Sequence, residues 1–199
     1  LYTNNCNPIE YSNYSFHYLS QFIDLCLKNQ DKIESIIYSS SCAVYGDNEF
    51  AKEDDDFKIT NLYASLKASS EYLLNKYLGE KNIKLVNARL FNMYGGDDNF
   101  SVISKIKHAI KNDIPFKLSH NGNNIRDFIY IKDVVEVYKI LINLNFKGSI
   151  NISSGVGTSI KKIINIAEEI NSKKLQILND IRDEVKICIG CNNLIKNKL

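Results

Sequence analysis

Apolar positions recur along this chain in alternating helical and strand-like runs. Tyr14, Tyr18, Phe22 and Cys26 stand four apart with Leu19 and Ile23 beside them, which predicts a helix over 13–29 with that stripe buried. Ile33 to Tyr38 is a β-branched and aromatic run, read as a buried strand. It ends in Ser39-Ser40-Ser41-Cys42-Ala43-Val44-Tyr45-Gly46. Residues 47–60 are polar and acidic and read as a surface loop. A second helix follows over 62–79, with Leu66, Leu73, Leu74, Tyr77 and Leu78 inward. Lys84 to Phe91 is a strand, closed by Asn92-Met93-Tyr94-Gly95-Gly96. Val102, Ile103, Ile106 and Ile110 make a third helix. Short strands are expected at 115–118 and 126–131, with a turn at 120–124 between them. Asp133 opens a helix carrying Val134, Val137, Tyr138, Leu141 and Ile142. Residues 149–152 form a strand, and Ser159 caps a helix with Ile160, Ile163, Ile164, Ala167 and Ile170.

Strands alternating with helices of 10–18 residues predict an α/β fold with a parallel sheet covered on both faces. The short elements after residue 96 suggest a smaller lobe interleaved with the main sheet. Composition agrees: of 199 residues, 44% are hydrophobic and 24% charged, which excludes a disordered polymer. No apolar run approaches the ~20 residues that span a bilayer, so no membrane partner is expected. A net charge of +2 gives no electrostatic case for nucleic acid. The 5 cysteines are odd in number and irregular in spacing. Cys188-Ile-Gly-Cys191 lacks the second ligand pair of a zinc site and reads as two semi-buried thiols in a short strand. His17, His108 and His120 form no pattern, Asp54 to Asp56 read as a solvated loop, and no metal is expected. No basic region followed by an apolar core is visible at the N-terminus, and reduced thiols in a cytoplasm are the expectation.

Three local features carry chemistry. Tyr63-Ala64-Ser65-Leu66-Lys67 places a phenol and an ammonium on one helix face at i and i+4. A nearby cation favours the phenolate, which would make Tyr63 a general acid/base near neutral pH. By spacing alone such a pair is more often a solvated face. Ser39, Ser40 and Ser41 stand at the carboxyl end of a buried strand, where ligands of parallel sheets bind. Such serines are also common in plain polar turns. Tyr63 follows Ser41 by 22 residues, enough for a loop and a helix that return it to the same mouth.

Together these residues resemble the NAD-dependent epimerase/dehydratase branch of the extended short-chain dehydrogenase/reductases, which act on nucleotide sugars. The resemblance is carried by SSSCAVYG (39–46), YASLK (63–67), ARLFNMYG (88–95), GNNIRDFIYIKDVV (122–135) and INISSGVGTSI (150–160), in the family's order. It implies a Rossmann-type doubly wound parallel sheet with NAD as cofactor. It also implies that residues 1–96 are the later part of the NAD-binding domain. Residues 97–199 are then mainly a nucleotide-sugar lobe, with about 125–155 returning to the main sheet. By resemblance Ser41, Tyr63 and Lys67 are catalytic, and Ser39, Ser40, Tyr63, Lys67 and Leu90 face the cofactor. Ser41, Asn92, Arg126 and, in an uncertain register, Arg182 face the nucleotide sugar. Asn13 resembles the Asn that opens the helix before the serine strand. On their own, Arg126-Asp127 could be a surface ion pair and Asn92 a turn cap.

Dehydratases of this branch carry a carboxylate directly after the Ser/Thr, where this chain has Cys42, Ala43 and Val44. That favours a UDP-hexose 4-epimerase working through a transient 4-ketone. A reductase or dehydrogenase with the same Ser/Tyr/Lys set, or a dehydratase of the same family, is the alternative, and an inactive fragment or binding protein is the alternative of another class. Surface polysaccharide precursors are the expected pathway. The family's glycine-rich loop and acidic ribose grip are not in these residues. The resemblance therefore implies an N-terminally truncated sequence that binds NAD poorly and aggregates by itself. It also implies a homodimer when full length, through the helix before the serine strand and the Tyr63 helix.

Overall fold

The computed structural model describes residues 7–181 and 184–198. In chain order the elements are α1 (Pro8–Lys28), β1 (Ser35–Ser41), β2 (Asn48–Ala51), α2 (Leu62–Leu78), β3 (Lys84–Leu90), β4 (Asn92–Tyr94), α3 (Val102–Asn112) and β5 (Phe116–Ser119). Then come β6 (Ile125–Tyr130), α4 (Ile131–Asn143), β7 (Gly148–Ile152), β8 (Gly157–Ser159), α5 (Ile160–Asn171), β9 (Ile177–Asp180), β10 (Ile187–Gly190) and α6 (Asn193–Lys196). β1, β3 and β7 form a wholly parallel sheet in the order β1-β3-β7. A second sheet runs β2-β10-β6-β4, all parallel, with β8 antiparallel on β6. β5 and β9 pair in parallel. The mixed α/β architecture with parallel sheets is the one expected.

Parallel strands must hide both faces, and the side-chain period of two sorts them. Along β3, Leu85 packs with Ile23, Cys26, Leu74 and Leu78 beneath α1 and α2. Val86 and Ala88 turn the other way, onto Ile150, Ile152, Val134 and Leu141 under α4. A separate apolar cluster of Ile106, Ile110, Ile160, Ile164 and Leu175 joins α3 to α5. No helix among the described residues is long and apolar enough to cross a membrane.

The structure corrects several expectations. α1 starts at Pro8, because the Asn7 side chain accepts the Ile9 amide at 2.9 Å and Pro8 has no N–H to leave unpaired. Asn13 is thus an exposed mid-helix residue and opens nothing. The stripe on α1 is only partly covered: Tyr14 and Tyr18 are 60% and 64% exposed, and Phe22 is exposed too. Periodicity finds an apolar face but not what covers it. Tyr77, Ile142 and Ile170 are likewise exposed rather than inward. The 47–60 segment contains β2, a four-residue strand that exists through its pairing with β10 about 140 residues away. Arg126-Asp127 is no surface ion pair. Asp127 is fully buried and accepts the amides of Ser154, Gly155 and Gly190 and the Ser154 hydroxyl.

Candidate active site

β1 and β3 end side by side, with Ser41 opposite Leu90. After Ser41 the chain makes a tight 3-10 turn (Cys42–Tyr45), begun by the Ser41 hydroxyl accepting the Ala43 amide at 3.2 Å. Gly46 closes the turn at φ +58°, where an added Cβ would stand 2.7 Å from the Lys58 carbonyl oxygen. The chain then returns to α2, whose N-terminus is capped by Asn61 accepting the Ala64 amide at 2.9 Å. This brings the first turn of α2 over the carboxyl ends of β1 and β3.

Tyr63 and Lys67 meet the serines there. Ser41 and Tyr63 line the same cavities, and the Ser41 hydroxyl is near enough to lower the pKa of the Tyr63 phenol. The Lys67 ammonium donates to the Ser39 carbonyl at 2.8 Å, and stands 5.7 Å from the Tyr63 ring centre and 5.0 Å from that of Tyr38. The Ser39 and Tyr138 hydroxyls lie 2.8 Å apart. Ser39, Ser41, Tyr63 and Lys67 line a cavity of about 370 Å³ together with Leu90, Asn92 and Phe128. Asn92, at the first position of β4, also lines two adjoining cavities. The nearer one, about 510 Å³, shares Ser41 and Tyr63 and adds Cys42, Arg126 and Glu184. The farther, about 460 Å³, adds Lys105, Phe116, Lys117 and Asn124 in the lobe. Shared residues make these one continuous cleft from Lys67 to β5. A phenol, a hydroxyl and an ammonium at one end suit proton transfer to and from a bound hydroxyl, while the far end mixes the cations Lys105, Lys117 and Arg126 with the carboxylates Asp180 and Glu184.

The electrostatic balance differs from the one expected. Burial pushes the Tyr63 phenol above its ordinary value, and the Ser41 hydroxyl is the influence that pulls it down. Lys67 is pushed down by burial and raised by Glu71. The group that eases Tyr63 toward the phenolate is therefore Ser41, while the Lys67 ammonium is committed to a β1 carbonyl.

Of the remaining predicted residues, Leu90 and Asn92 are at the cleft. The Arg126 guanidinium reaches it while donating to the carbonyls of Ile125, Val185 and Lys186. Ser40 lines the cavity beside Ser39 and Ser41, while its hydroxyl donates to Glu71. Arg182 lies outside the described residues. Among the described residues no group of three His, Cys, Asp or Glu could hold a metal. Sequence reasoning missed Glu71, Arg89, Tyr45 and Asn151, a buried polar chain behind the serines. Two signals could have found it. Glu71 continues the Tyr63–Lys67 spacing by four, and Arg89 interrupts a largely buried strand, where its charge calls for a partner.

Comparison with known proteins agrees with this geometry. The profile of the NAD dependent epimerase/dehydratase family matches residues 3–153. An ADP-L-glycero-D-manno-heptose-6-epimerase of Brachyspira hyodysenteriae is 32% identical over 167 residues, covering 78% of this chain and 52% of that protein. A dTDP-4-dehydro-6-deoxyglucose reductase of Escherichia coli is 32% identical over 153 residues, covering 72% and 48%. The chain thus spans about half the length of the curated relatives it matches. Among solved structures, a UDP-N-acetylglucosamine 4-epimerase from Methanobrevibacter ruminantium, in complex with UDP-N-acetylmuramic acid, superposes with a TM-score of 0.86. Its identity is 25%, over 96% of this chain and 64% of that one. The Thermus thermophilus UDP-glucose 4-epimerase in complex with NAD superposes at 0.81 with 20% identity, over 90% and 61%.

Proposed function

The chain belongs to the NAD dependent epimerase/dehydratase family, and from that premise we propose that it carries the catalytic and sugar-binding part of a nucleotide-sugar epimerase. The proposed reaction inverts C4 of a UDP-hexose through a transient 4-ketone. The observation that carries this reading is the meeting of Ser41, Tyr63 and Lys67 at the carboxyl ends of two parallel strands. NAD, when bound, supplies the oxidant that takes the C4 hydride and gives it back. Tyr63 takes the proton from the C4 hydroxyl and later returns it. Ser41 holds the same oxygen and eases the Tyr63 proton off. Lys67 holds the nicotinamide ribose, with Ser39 and Leu90 along the cofactor. Asn92 and Arg126 take the diphosphate or nucleoside, and Arg182 is assigned the same task from the sequence.

Two carboxylates line the middle of the cleft, and both have partners. Asp47 accepts the amides of Lys186 and Ile187, and Glu184 accepts from Ser119 and Asn124. No carboxylate follows Ser41 to drive loss of water, which favours epimerase over dehydratase. A cytoplasmic setting suits the free thiols of Cys26, Cys42, Cys188 and Cys191.

The test uses the protein with UDP-, GDP- and dTDP-hexoses, read by product NMR. The expected result is a C4 epimer without added NADPH, and a loss of at least about 10²-fold in rate for Tyr63→Phe. A Tyr63→Phe variant of full activity overturns the assignment, and turnover only with added NADPH replaces the epimerase with a reductase.

A further inference from the structure

Behind the serines lies a buried ion pair that the proposed chemistry leaves unused. The period of two puts Ser40 and Arg89 on the α2 face of the sheet, and the β1–β3 register sets them side by side. Glu71 comes down from α2 between them. The Ser40 hydroxyl donates to Glu71 Oε1, and Arg89 donates to both carboxylate oxygens, the shortest bond being 2.8 Å. Exposure is 2% for Ser40, 2% for Glu71 and 4% for Arg89. The other arm of Arg89 donates to the Tyr45 hydroxyl at 2.7 Å and the Glu53 carbonyl at 2.8 Å. The Tyr45 hydroxyl in turn donates to Asn151 on β7 at 2.8 Å. One carboxylate therefore ties together the ends of β1, β3 and β7 and the turn after Ser41.

An apolar pair of similar volume would hold α2 to the sheet as well as this ion pair does. It could not accept the Ser40 hydroxyl and the Arg89 fork together. Glu71 also shares a helix face with Tyr63 and Lys67, at intervals of four. We propose that Glu71 is a positioning residue for the Ser41–Tyr63–Lys67 group: it clamps Ser40 from behind the sheet, so that Ser41 and the Ser39 carbonyl stand where Tyr63 and Lys67 reach them. The purpose of this clamp rests on the nucleotide-sugar reading, while its geometry does not. Ser39 and Ser41 flank Ser40, so a shift of Ser40 displaces both. The Glu71 charge acts on Lys67 as well, raising an ammonium that burial pushes down. The other titratable groups around Tyr63 and Lys67 are Tyr38 on β1, Cys42 in the turn after it and Tyr11 on α1.

The test follows the Lys67 titration by NMR in full-length protein labelled with ¹³C at lysine Cε, with Lys67→Arg assigning the signal. Amide hydrogen exchange is measured on the same samples. Glu71→Gln is expected to move the Lys67 midpoint to lower pH. Ser40→Ala is expected to leave that midpoint in place and to speed exchange of the 39–41 amides about tenfold, with α5 unchanged. If Glu71→Gln does not fold because Arg89 is left unpaired, Glu71→Gln with Arg89→Gln is read by exchange of the 39–41 amides alone, since the two lost charges offset each other at Lys67. Folded variants with an unmoved Lys67 titration and no local change at β1 overturn the proposal. Neither readout needs turnover, so a wild type that forms no epimer sinks the proposed function alone.

Discussion

Asp127, fully buried next to Arg126, shows how much one side chain can hold. One carboxylate oxygen accepts the Ser154 amide at 2.8 Å and its hydroxyl at 2.7 Å; the other accepts the Gly155 amide at 2.9 Å and the Gly190 amide at 3.2 Å. Asn in its place keeps one acceptor and turns an NH2 toward amides that also donate. Asp127→Asn is expected to cost about 2–4 kcal/mol. The measure is the urea midpoint with an unchanged slope, and a loss under about 0.5 kcal/mol would remove Asp127 from this role. Residues of this kind were the hardest to read. Ser41, Tyr63 and Lys67 lie in two short segments whose local spacing already implies a shared mouth. Ser40, Glu71 and Arg89 come from three elements, and only the parallel register of β1 and β3 puts them together.

At the scale of elements, α3 depends on a polar knot before its first turn. Asp98 accepts the amides of Phe100 and Ser101 and the hydroxyls of Ser101 and Ser104, while Ser101 caps the helix by accepting the Ser104 amide at 3.1 Å. Burial pushes the Asp98 carboxyl up, but these bonds outweigh it and leave it below its ordinary value. A carboxyl lowered on folding stabilises above its unfolded pKa of about 4 and loses that contribution as pH falls through the folded value. Asp98→Ala is therefore expected to be less stable than wild type at pH 7, by about 1 kcal/mol. The gap should close on acidification in parallel urea titrations, and a gap independent of pH would contradict the assignment. The long elements were legible because each shows its own period. β2, β4, β8 and β9 were not, because three or four residues carry too little pattern and only their partners make them strands.

For the whole molecule, the uncovered faces matter most. Tyr14, Tyr18 and Leu25 on α1 and Tyr72 and Tyr77 on α2 are all at least half exposed. Apolar surface of this extent marks an interface, and a second copy of this chain is the proposed partner. Sedimentation of the full-length protein at micromolar concentration is expected to give a dimer, and Tyr18→Glu with Tyr72→Glu a monomer. A wild-type monomer would leave those faces without that partner. The α/β plan was legible from the alternation of runs, but the second sheet was not, since β2 joins it from within an acidic stretch.

That second sheet has a temporal consequence. Residues near 48 pair directly with residues near 188, and Asp47 accepts the amides of Lys186 and Ile187. On a ribosome adding about 5–20 residues per second, Ser41, Tyr63 and Lys67 emerge roughly ten seconds before β10 arrives to close the cleft beside them. For that interval the nascent chain must wait with β2 lacking its β10 partner.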